Sequence, residues 1–360
     1  MAAALSSTRN PLSAGARLLL VSHSGRLCSA GSLLYYLGAT LRAHACEVSV
    51  LFHREHPQEN VQRLYSDAGI DILTEPDSAQ YDLILANTLA SVVAVVTLVT
   101  TYPNTPIALW IHEAWPPQVP SLLEEALGAV SAVIVQSEYQ SHVVYKNFLR
   151  GRAMTIYSVP NGVRHSVPLD YVGLHRGCPR IVAVGAIQPR KRYIDLIQAV
   201  THFDYPVQCF IVGECKEVME GFNRALESCP WRCEITGQVH NSLARSFITS
   251  ADVIAHPSEC ESQSISILEA MRYSKPIVVA DLPAYRFQHL VNGINCLMFP
   301  VGDCYALHSC LDRLIRNPQY AESLGAAAYS TYQCHFQMDR FEQRILAVIN
   351  EIILASKKSI

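Results

Sequence analysis

Short apolar runs alternate with amphipathic stretches along almost the whole chain. The first run, Arg17–Ser22, is continuously apolar, as is typical of a strand buried on both faces. A turn region follows at 24–31, and leucines at helical spacing then predict a helix at 32–44. This alternation predicts a βαβ series with a parallel sheet. Further strands of the series are predicted at Glu47–Phe52, 70–73, 83–86, Ile107–Ile111 and 132–136.

A second series of the same kind follows a pause in the pattern. Between Pro160 and Pro179 the chain is rich in proline and glycine and keeps no sustained period, as is typical of an interdomain linker. Beyond the pause, a helix is predicted at 193–200. The strands predicted for this second series are Arg180–Val184, Gln208–Val212, 234–237, Val253–His256, Ile277–Ala280 and 296–299.

The two series predict an α/β fold with two Rossmann-like, doubly wound parallel-sheet domains. Open α/β sheets bind ligands at the carboxyl ends of their strands, so a cleft between two sets of strand ends is expected. The predicted boundaries are a disordered tail at 1–16, a first domain at 17–164, a linker at 165–179, a second domain at 180–334 and a terminal segment at 335–360, which contains an amphipathic helix at 339–354.

The composition narrows the class of protein. Half of the 360 residues are hydrophobic and 16% are charged, which excludes an intrinsically disordered chain. A formal net charge of −3 gives no overall field for nucleic acid, so no nucleic-acid partner is predicted. The apolar run at 89–99 is too short to span a bilayer, and no transmembrane helix is predicted, while peripheral membrane contact stays open.

The twelve cysteines form no Cys-x-x-Cys pair, and most lie beside apolar residues. This pattern favours reduced, buried thiols and a cytoplasmic location. Cys229 and Cys233 lack a second pair at zinc-finger spacing, so no metal site is predicted. The amino-terminal residues are rich in Ala and Ser, with no acidic residue before Glu47, which leaves organelle targeting open beside the disordered tail.

The strongest local signal is the segment 256–271. An apolar strand ends at His256, a polar loop with two carboxylates follows, and a helix begins between Ser262 and Ser266. Free backbone N–H groups at such a helix start, together with the helix dipole, form an anion site. A carboxylate one turn into the helix, Glu269, could then accept hydrogen bonds from ribose hydroxyls. The alternative is a capping box in which Ser266 and Glu269 only satisfy backbone donors.

A second signal is the basic turn at 185–192. It begins with Gly185 at the end of a predicted strand and contains Arg190, Lys191 and Arg192. Charge-assisted contacts from such cations to a diphosphate contribute roughly 1.5–3 kcal/mol each. Three cations at a helix start oppose the dipole, which favours an anionic partner. The alternative is a solvated basic turn.

Together these segments resemble the nucleotide-sugar domain of retaining GT-B glycosyltransferases of family 4, also called glycosyltransferase group 1. Glu261 and Glu269 have the spacing of that family's Glu-x7-Glu motif, and Ala270-Met271 follow it. Gly185 with Arg190 and Lys191 matches its glycine-ended strand and basic pair. The resemblance covers about 180–310 firmly and the first domain more loosely, and 339–354 resembles the family helix that crosses back onto the first domain.

The resemblance implies a role for each matched residue. Lys191 with Arg190 would neutralise the donor diphosphate, Glu269 would hold the ribose, and Glu261 would lie by the donor sugar. The implied catalytic residues are Glu261, Lys191 and His112, the last facing the acceptor or the transferred sugar. The implied donor-binding residues are Arg190, Gly185, Gln263, Ser264, Ile265, Ser266, Glu269 and Gly31, of which Gly31 would keep a first-domain loop open. The alternatives for the first domain are a satisfied core histidine at 112 and an ordinary helix-start glycine at 31.

The implied activity is transfer of a hexosyl unit from a nucleotide diphosphate sugar to an acceptor hydroxyl, with retention and without a metal or other cofactor. Glycan, lipid-linked and small-molecule acceptors all remain open. This sequence departs from many members of that family, which have Gly at the positions occupied here by Ser262, Ser264 and Arg192. Many of them also have Arg at the position of Ala186. These departures motivate an alternative, a catalytically reduced GT-B scaffold that binds a nucleotide or a partner. A dehydrogenase is disfavoured because no Gly-x-Gly-x-x-Gly follows a predicted strand.

Overall fold

The computed structural model describes residues 15–26, 29–115, 120–164, 177–215 and 221–358. The chain divides into two compact units, Met1–Asn161 together with Asp339–Ile360, and Gly162–Met338. Most of the predicted tail and most of the predicted linker lie outside the described residues. The end of the chain thus belongs to the same unit as its beginning.

Every pair of neighbouring strands in the described residues is parallel. The strands of the first unit are Arg17–Ser22 (β1), Glu47–Phe52 (β2), Asp71–Leu73 (β3), Leu83–Asn87 (β4), Ile107–Ile111 (β5), Ala132–Val135 (β6) and Thr155–Ser158 (β7). Those of the second unit are Arg180–Val184 (β8), Gln208–Val212 (β9), Arg232–Ile235 (β10), Val253–His256 (β11), Ile277–Ala280 (β12) and Leu297–Phe299 (β13).

Helices alternate with the strands in both units. In chain order the α-helices of the described ranges are Ser29–Ala43 (α1), Glu59–Asp67 (α2), Val92–Thr101 (α3), Pro120–Ala129 (α4), Lys146–Leu149 (α5), Tyr193–Thr201 (α6), Phe222–Ser228 (α7), Asn241–Ser250 (α8), Ile265–Arg272 (α9), Pro283–Arg286 (α10), Cys304–Arg316 (α11), Pro318–His335 (α12) and Met338–Lys358 (α13). The predicted α/β class with two parallel sheets is therefore confirmed.

The first sheet has the strand order β3-β2-β1-β4-β5-β6-β7. Its central strands are buried on both faces, and Leu20 of β1 lies opposite Val50 on one side and Leu85 on the other. Fully burying one such aliphatic side chain contributes about 1.5–3 kcal/mol. The continuous apolar runs of the sequence are therefore the central strands, as expected for a parallel sheet covered on both faces.

The second sheet has the strand order β10-β9-β8-β11-β12-β13. Strands β8 and β11 lie at its centre, and their carboxyl ends lead directly into the basic turn and the polar loop singled out in the sequence. The strand order switches sides at β8, because its two neighbours, β9 and β11, lie on opposite sides of it. In doubly wound sheets, this is the position where ligands bind.

Helix α1 and strand β7 are two of the elements that differ from the sequence predictions, because the hydrophobic pattern marks buried faces rather than ends. Helix α1 begins at Ser29, three residues before the predicted start, so Gly31 lies in its first turn and is buried. The prediction that Gly31 keeps a loop open is therefore wrong. Strand β7, in which only Tyr157 is buried, was not predicted, because an edge strand carries no continuous apolar run.

The described cysteines are all free thiols. Cys46, Cys209 and Cys296 are buried as predicted, but Cys215 and Cys334 are exposed, so the prediction of burial holds only in part. Among the described residues, no group of three His, Cys, Asp or Glu side chains is arranged to hold a metal ion. No helix within the described ranges is long and apolar enough to cross a membrane.

Candidate functional site

The basic turn is shaped by a glycine that leaves room for a lysine. Gly185 follows β8 directly and has a φ of +153°, a backbone conformation that favours glycine. A Cβ at this position would lie 2.9 Å from Tyr193 Oη and 3.5 Å from Lys191 Cε. Gly213, which follows β9, lies close to Gly185, because a Cβ at position 213 would be 2.1 Å from the Gly185 carbonyl oxygen. The two glycines therefore let the ends of β8 and β9 approach and keep space for the Lys191 side chain.

Lys191, Arg190 and Glu261 form a nearly buried ionic cluster. Lys191 Nζ donates to Glu261 Oε1 over 2.5 Å, and Arg190 Nη1 donates to the same oxygen over 3.3 Å. Lys191 and Glu261 are 7% and 8% exposed. Burial by itself would raise the pKa of Glu261, but the Lys191 ammonium, a His256 hydrogen bond and Arg190 hold it well below its usual range. Glu261 is therefore ionised, and the two segments that the sequence singled out meet at this carboxylate.

The cluster leaves hydrogen-bonding capacity on both partners. All three donors of the cluster reach Glu261 Oε1, and no described residue donates to Oε2. Lys191 Nζ has three N–H groups, of which Glu261 takes one, and no other described residue accepts from it. The lysine is therefore held in place by one bond while two of its donors remain available.

His256 is a buried residue of this cluster that the sequence analysis named only as a strand end. Its Nε2 lies 3.2 Å from Glu261 Oε1 and 3.1 Å from Ser258 Oγ. Burial and the charge of Lys191 lower the pKa of His256, so the ring is neutral at physiological pH. Because Nε2 faces an ionised carboxylate, Nε2 carries the proton and donates to it. The only sequence signal for this contact is an imidazole five residues before a motif glutamate.

The third cation of the turn is matched by its own carboxylates. Arg192 Nε donates to Asp195 over 2.6 Å, and its Nη1 donates to Glu259 over 3.1 Å. Arg192 adopts a φ of +50°, a left-handed conformation that costs a non-glycine residue about 1–2 kcal/mol. These ion pairs offset that cost. Since the other two cations share Glu261, all three cations of the turn have carboxylate partners within the protein, and the expectation of an anionic partner stays a prediction.

Helix α9 begins after Ser264, which occupies the N-cap position without a capping side-chain bond. The N–H groups of Ile265 and Ser266 are in the first turn and have no acceptor within the helix. Ser266 lies inside the helix, and its hydroxyl is 3.0 Å from that of Ser264. The alternative capping box of Ser266 and Glu269 is therefore wrong, because the helix starts earlier than that box requires. Gln263 precedes the helix and is buried.

Glu269 is paired with a residue that the sequence analysis did not identify. Arg245 of α8 donates its Nε–H to Glu269 Oε1 over 2.9 Å, and both side chains are mostly buried. Burial raises the pKa of Glu269, while the charge and hydrogen bond of Arg245 and the charge of Arg272 oppose that rise. No local pattern joins Arg245 to Glu269, since 24 residues separate them along the chain.

His112 and Gly31 belong to the first unit. Each ring nitrogen of His112 is hydrogen-bonded: Nε2 lies 2.8 Å from Asn87 Oδ1, and Gln136 Nε2 donates to Nδ1 over 2.7 Å. Asn87 also donates to the Ala30 carbonyl over 3.2 Å, which connects this network to the first turn of α1, next to Gly31. Burial, with a smaller contribution from the charge of His23, lowers the pKa of His112 to about 3, so the ring is neutral. The geometry agrees with the alternative of a hydrogen-bonded structural histidine.

Comparison with known proteins agrees with the motifs of the second unit. Residues 178–317 match the family model Glycosyl transferases group 1. A phosphatidyl-myo-inositol mannosyltransferase of Mycobacterium leprae is 31% identical over 178 residues, which are 47% of this chain and 46% of that protein. The match therefore spans about half the length of that curated relative.

Solved structures resemble the chain over nearly its whole length. Sucrose-phosphate synthase from Thermosynechococcus elongatus has a TM-score of 0.77 at 16% identity, and the alignment covers 94% of this chain and 100% of the other. Anabaena Alr3699/HepE in complex with UDP-glucose also has a TM-score of 0.77, at 18% identity over 96% of this chain and 100% of the other. At such identities the likeness establishes the fold alone. Residues 178–317 are accordingly similar to group 1 glycosyl transferases, in a chain whose two Rossmann-like units have the GT-B fold.

Proposed function

We propose that the chain is a retaining hexosyltransferase, which moves a hexosyl unit from a nucleotide diphosphate sugar to an acceptor hydroxyl. The observation that carries this proposal is the buried contact between Lys191 and Glu261 at the carboxyl ends of β8 and β11, in a region similar to group 1 glycosyl transferases. Glu261 takes one of the three N–H groups of this lysine, which leaves two for a ligand.

The chemistry that the cluster supports is stabilisation of a diphosphate leaving group. Negative charge grows on the diphosphate as the bond to the sugar breaks, so donors fixed in advance stabilise the transition state more than the ground state. Lys191 is fixed by Glu261 and keeps donors for phosphate oxygens, and Arg190 lies beside it. The first-turn N–H groups at Ile265 and Ser266 would add a partial positive charge.

The two glutamates take different parts in the proposed complex. Glu261 Oε2, to which no described residue donates a hydrogen bond, would accept one from the donor sugar. Glu269, one turn into α9, would accept from the ribose hydroxyls of the nucleotide. Gly185 supports the diphosphate site indirectly, because it leaves the space that the Lys191 side chain occupies.

The names of similar proteins support the hexosyl class. The Mycobacterium leprae relative is a mannosyltransferase, and Anabaena Alr3699/HepE is in complex with UDP-glucose. A pneumococcal O-GlcNAc transferase with UDP and GlcNAc has a TM-score of 0.71 at 11% identity. We extend only the shared class, a nucleotide diphosphate hexose, to this chain. The acceptor, the absence of a metal requirement, the role of His112 and the cytoplasmic location stay predictions.

A consumption assay tests the proposal. Purified protein is incubated with UDP-, GDP- and ADP-hexoses and with glycan, lipid-linked and small-molecule acceptors, and the released nucleoside diphosphate is measured. We expect one donor to be consumed, with the anomeric configuration of the product retained by NMR. Lys191→Ala should lower the rate about a hundredfold or more, because it removes a preorganised donor at the leaving group.

The matched control is Arg316→Met, which removes two Arg–carboxylate pairs of an exposed arginine, with Asp204 and Asp312, elsewhere in the same unit. An equal rate in Lys191→Ala and wild type would overturn the assigned role of the lysine. Binding of a nucleoside diphosphate without consumption across the panel would instead favour the catalytically reduced scaffold, in which Ser262 and Ser264 replace the glycines of many relatives.

A further inference from the structure

Arg245 of α8 and Glu269 of α9 form an ion pair that leaves hydrogen-bonding groups of both side chains unused. Arg245 uses only Nε to contact Glu269 Oε1, over 2.9 Å. No other described residue accepts a hydrogen bond from the terminal guanidinium nitrogens, and none donates to Glu269 Oε2. The Arg245 and Glu269 side chains are 14% and 12% exposed, so the pair is mostly buried but can still be reached by a ligand.

The pair therefore offers one acceptor and several donors next to each other. Each hydroxyl of a vicinal diol both donates and accepts a hydrogen bond. One hydroxyl can donate to Glu269 Oε2 while its neighbour accepts from an Arg245 N–H. A carboxylate alone could satisfy only the donating half of such a diol. Removal of the diol would leave both charged groups without that partner, and a site built in this way discriminates strongly against analogues that lack the hydroxyls.

We propose that Arg245 is a second ribose-binding residue, which with Glu269 selects the 2′,3′-diol of the donor nucleotide. This inference rests on the proposed function, in which Glu269 accepts from the ribose. It adds a specificity-determining residue that lies outside the Glu261–Glu269 motif, on the neighbouring helix α8. A site of this kind distinguishes ribonucleotides from their deoxy counterparts whatever the base.

Arg245 also acts on the charge of Glu269. Burial raises the pKa of this carboxyl, and the opposing charges are Arg245 and Arg272. Arg272 donates its Nη1 to the Arg164 carbonyl over 2.8 Å and lies over the Tyr273 ring, so it is committed elsewhere. Without Arg245 the pKa of Glu269 would rise further. Because the ribose needs the ionised carboxylate, nucleotide affinity would then begin to fall at a higher pH as the solution is acidified.

Calorimetric titration with matched nucleotides tests the proposal. The probes are UDP, GDP and ADP and the 2′,3′-dideoxy counterpart of each, titrated into wild type, Arg245→Met, Arg245→Lys and Glu269→Gln. We expect wild type to prefer the ribonucleotide by about tenfold or more, from two hydroxyl contacts to charged groups. Arg245→Met and Glu269→Gln should bring the preference close to one. Arg245→Lys keeps the charge but not the fork, and should retain an intermediate preference.

The control is Arg232→Met, which removes an exposed ion pair with Glu234 in the same unit and should leave the preference unchanged. A structural role would lower the melting temperature of Arg245→Met and leave the ribose preference intact, and that result would overturn the proposal.

Should Arg245→Met fail to fold, an unchanged preference in Arg245→Lys would overturn it as well. A wild type that binds no nucleoside diphosphate would overturn the proposed function together with this inference. Loss of binding in Lys191→Ala, with an unchanged ribose preference in Arg245→Met, would overturn this inference alone.

Discussion

The carboxyl ends of the two sheets hold their polar side chains in opposite ways. In the second unit, ionised groups meet at Glu261, and Lys191 keeps donors to spare. In the first unit, His112 is neutral and both of its ring nitrogens are bonded to the amides of Asn87 and Gln136. The same fold class has thus produced one charged cluster with unused donors and one neutral network around a fully bonded imidazole.

This difference indicates which unit meets a charged ligand. A charged group taken out of water must be paired, and spare donors on such a pair are stabilised further when an anion arrives. A neutral network of amides and imidazole offers an anion little electrostatic stabilisation, but it holds the ends of β4, β5 and β6 in a fixed arrangement. The proposed diphosphate site therefore belongs to the second unit, while His112 of the first unit lies in a network without net charge.

The largest effect on stability is expected at the charged cluster. Glu261→Ala removes the shared carboxylate and leaves Lys191 buried without its partner. Breaking a buried pair from one side costs about 3–5 kcal/mol, so the free energy of unfolding in urea should fall by about that amount. Asp204→Ala, which removes an exposed partner of Arg316, should cost less than about 1 kcal/mol. Equal losses in the two variants would contradict the burial of the cluster.

The glycine before the cluster should give the next largest effect. Gly185→Ala places a Cβ against Tyr193 Oη and Lys191 at a positive φ, which costs about 1–3 kcal/mol of stability. Because Lys191 must move, affinity for the nucleoside diphosphate should fall as well, by calorimetry. Gly128→Ala is the control, since open space surrounds that position in α4 of the first unit. Unchanged nucleotide affinity in Gly185→Ala would separate the glycine from the placement of the lysine.

The neutral network should reveal itself in the pH dependence of stability. Because the folded state keeps the pKa of His112 near about 3, the unfolded state binds one more proton below about pH 6.5. The stability tied to His112 is therefore complete above pH 6.5 and is lost as the pH falls toward 3. In His112→Gln, the fall of unfolding free energy between pH 5.5 and 4 should be shallower than in wild type by about 1.4 kcal/mol per pH unit. The exposed His142→Gln is the control, and an unchanged slope in His112→Gln would contradict a neutral, buried ring.

The smallest effect is expected for the hydroxyl of Ser266. Because Ser264 occupies the N-cap and Ser266 does not cap α9, Ser266→Ala should change stability by less than about 0.5 kcal/mol. Nucleotide affinity should persist, since the substitution keeps the backbone N–H. Asp303→Ala is the contrast, because Asp303 Oδ1 does cap α11 by accepting from the Ala306 N–H, and its loss should cost about 1 kcal/mol. A large loss of affinity in Ser266→Ala would assign the phosphate contact to the side chain.

The central strands could be predicted from the sequence because burial on both faces leaves a continuous apolar run, as in β1, β4 and β5. Edge strands carry a weaker signal, so β7 was missed and β10 begins two residues earlier than predicted. Lys191 and Glu261 could be identified as candidate site residues because the segment of each follows the carboxyl end of a predicted strand. Their pairing could not be derived from local spacing, since it joins positions 70 residues apart.

The same limit explains the residues that were missed or misread. Arg245 and Glu269 are brought together by the packing of α8 against α9, which no periodicity encodes. The sequence analysis counted three cations at the basic turn but did not identify Asp195 and Glu259 as the carboxylate partners of Arg192. Sequence patterns predict which segments are buried and which polar residues follow strands. Tertiary contacts decide which charges remain available to a ligand.

The most direct test of the central claim is a crystal structure of the protein with the nucleoside diphosphate that binds in calorimetry. The account predicts a phosphate oxygen within about 3.2 Å of Lys191 Nζ while Glu261 still holds the lysine from the other side. A diphosphate bound elsewhere, with Lys191 in contact with Glu261 alone, would contradict it.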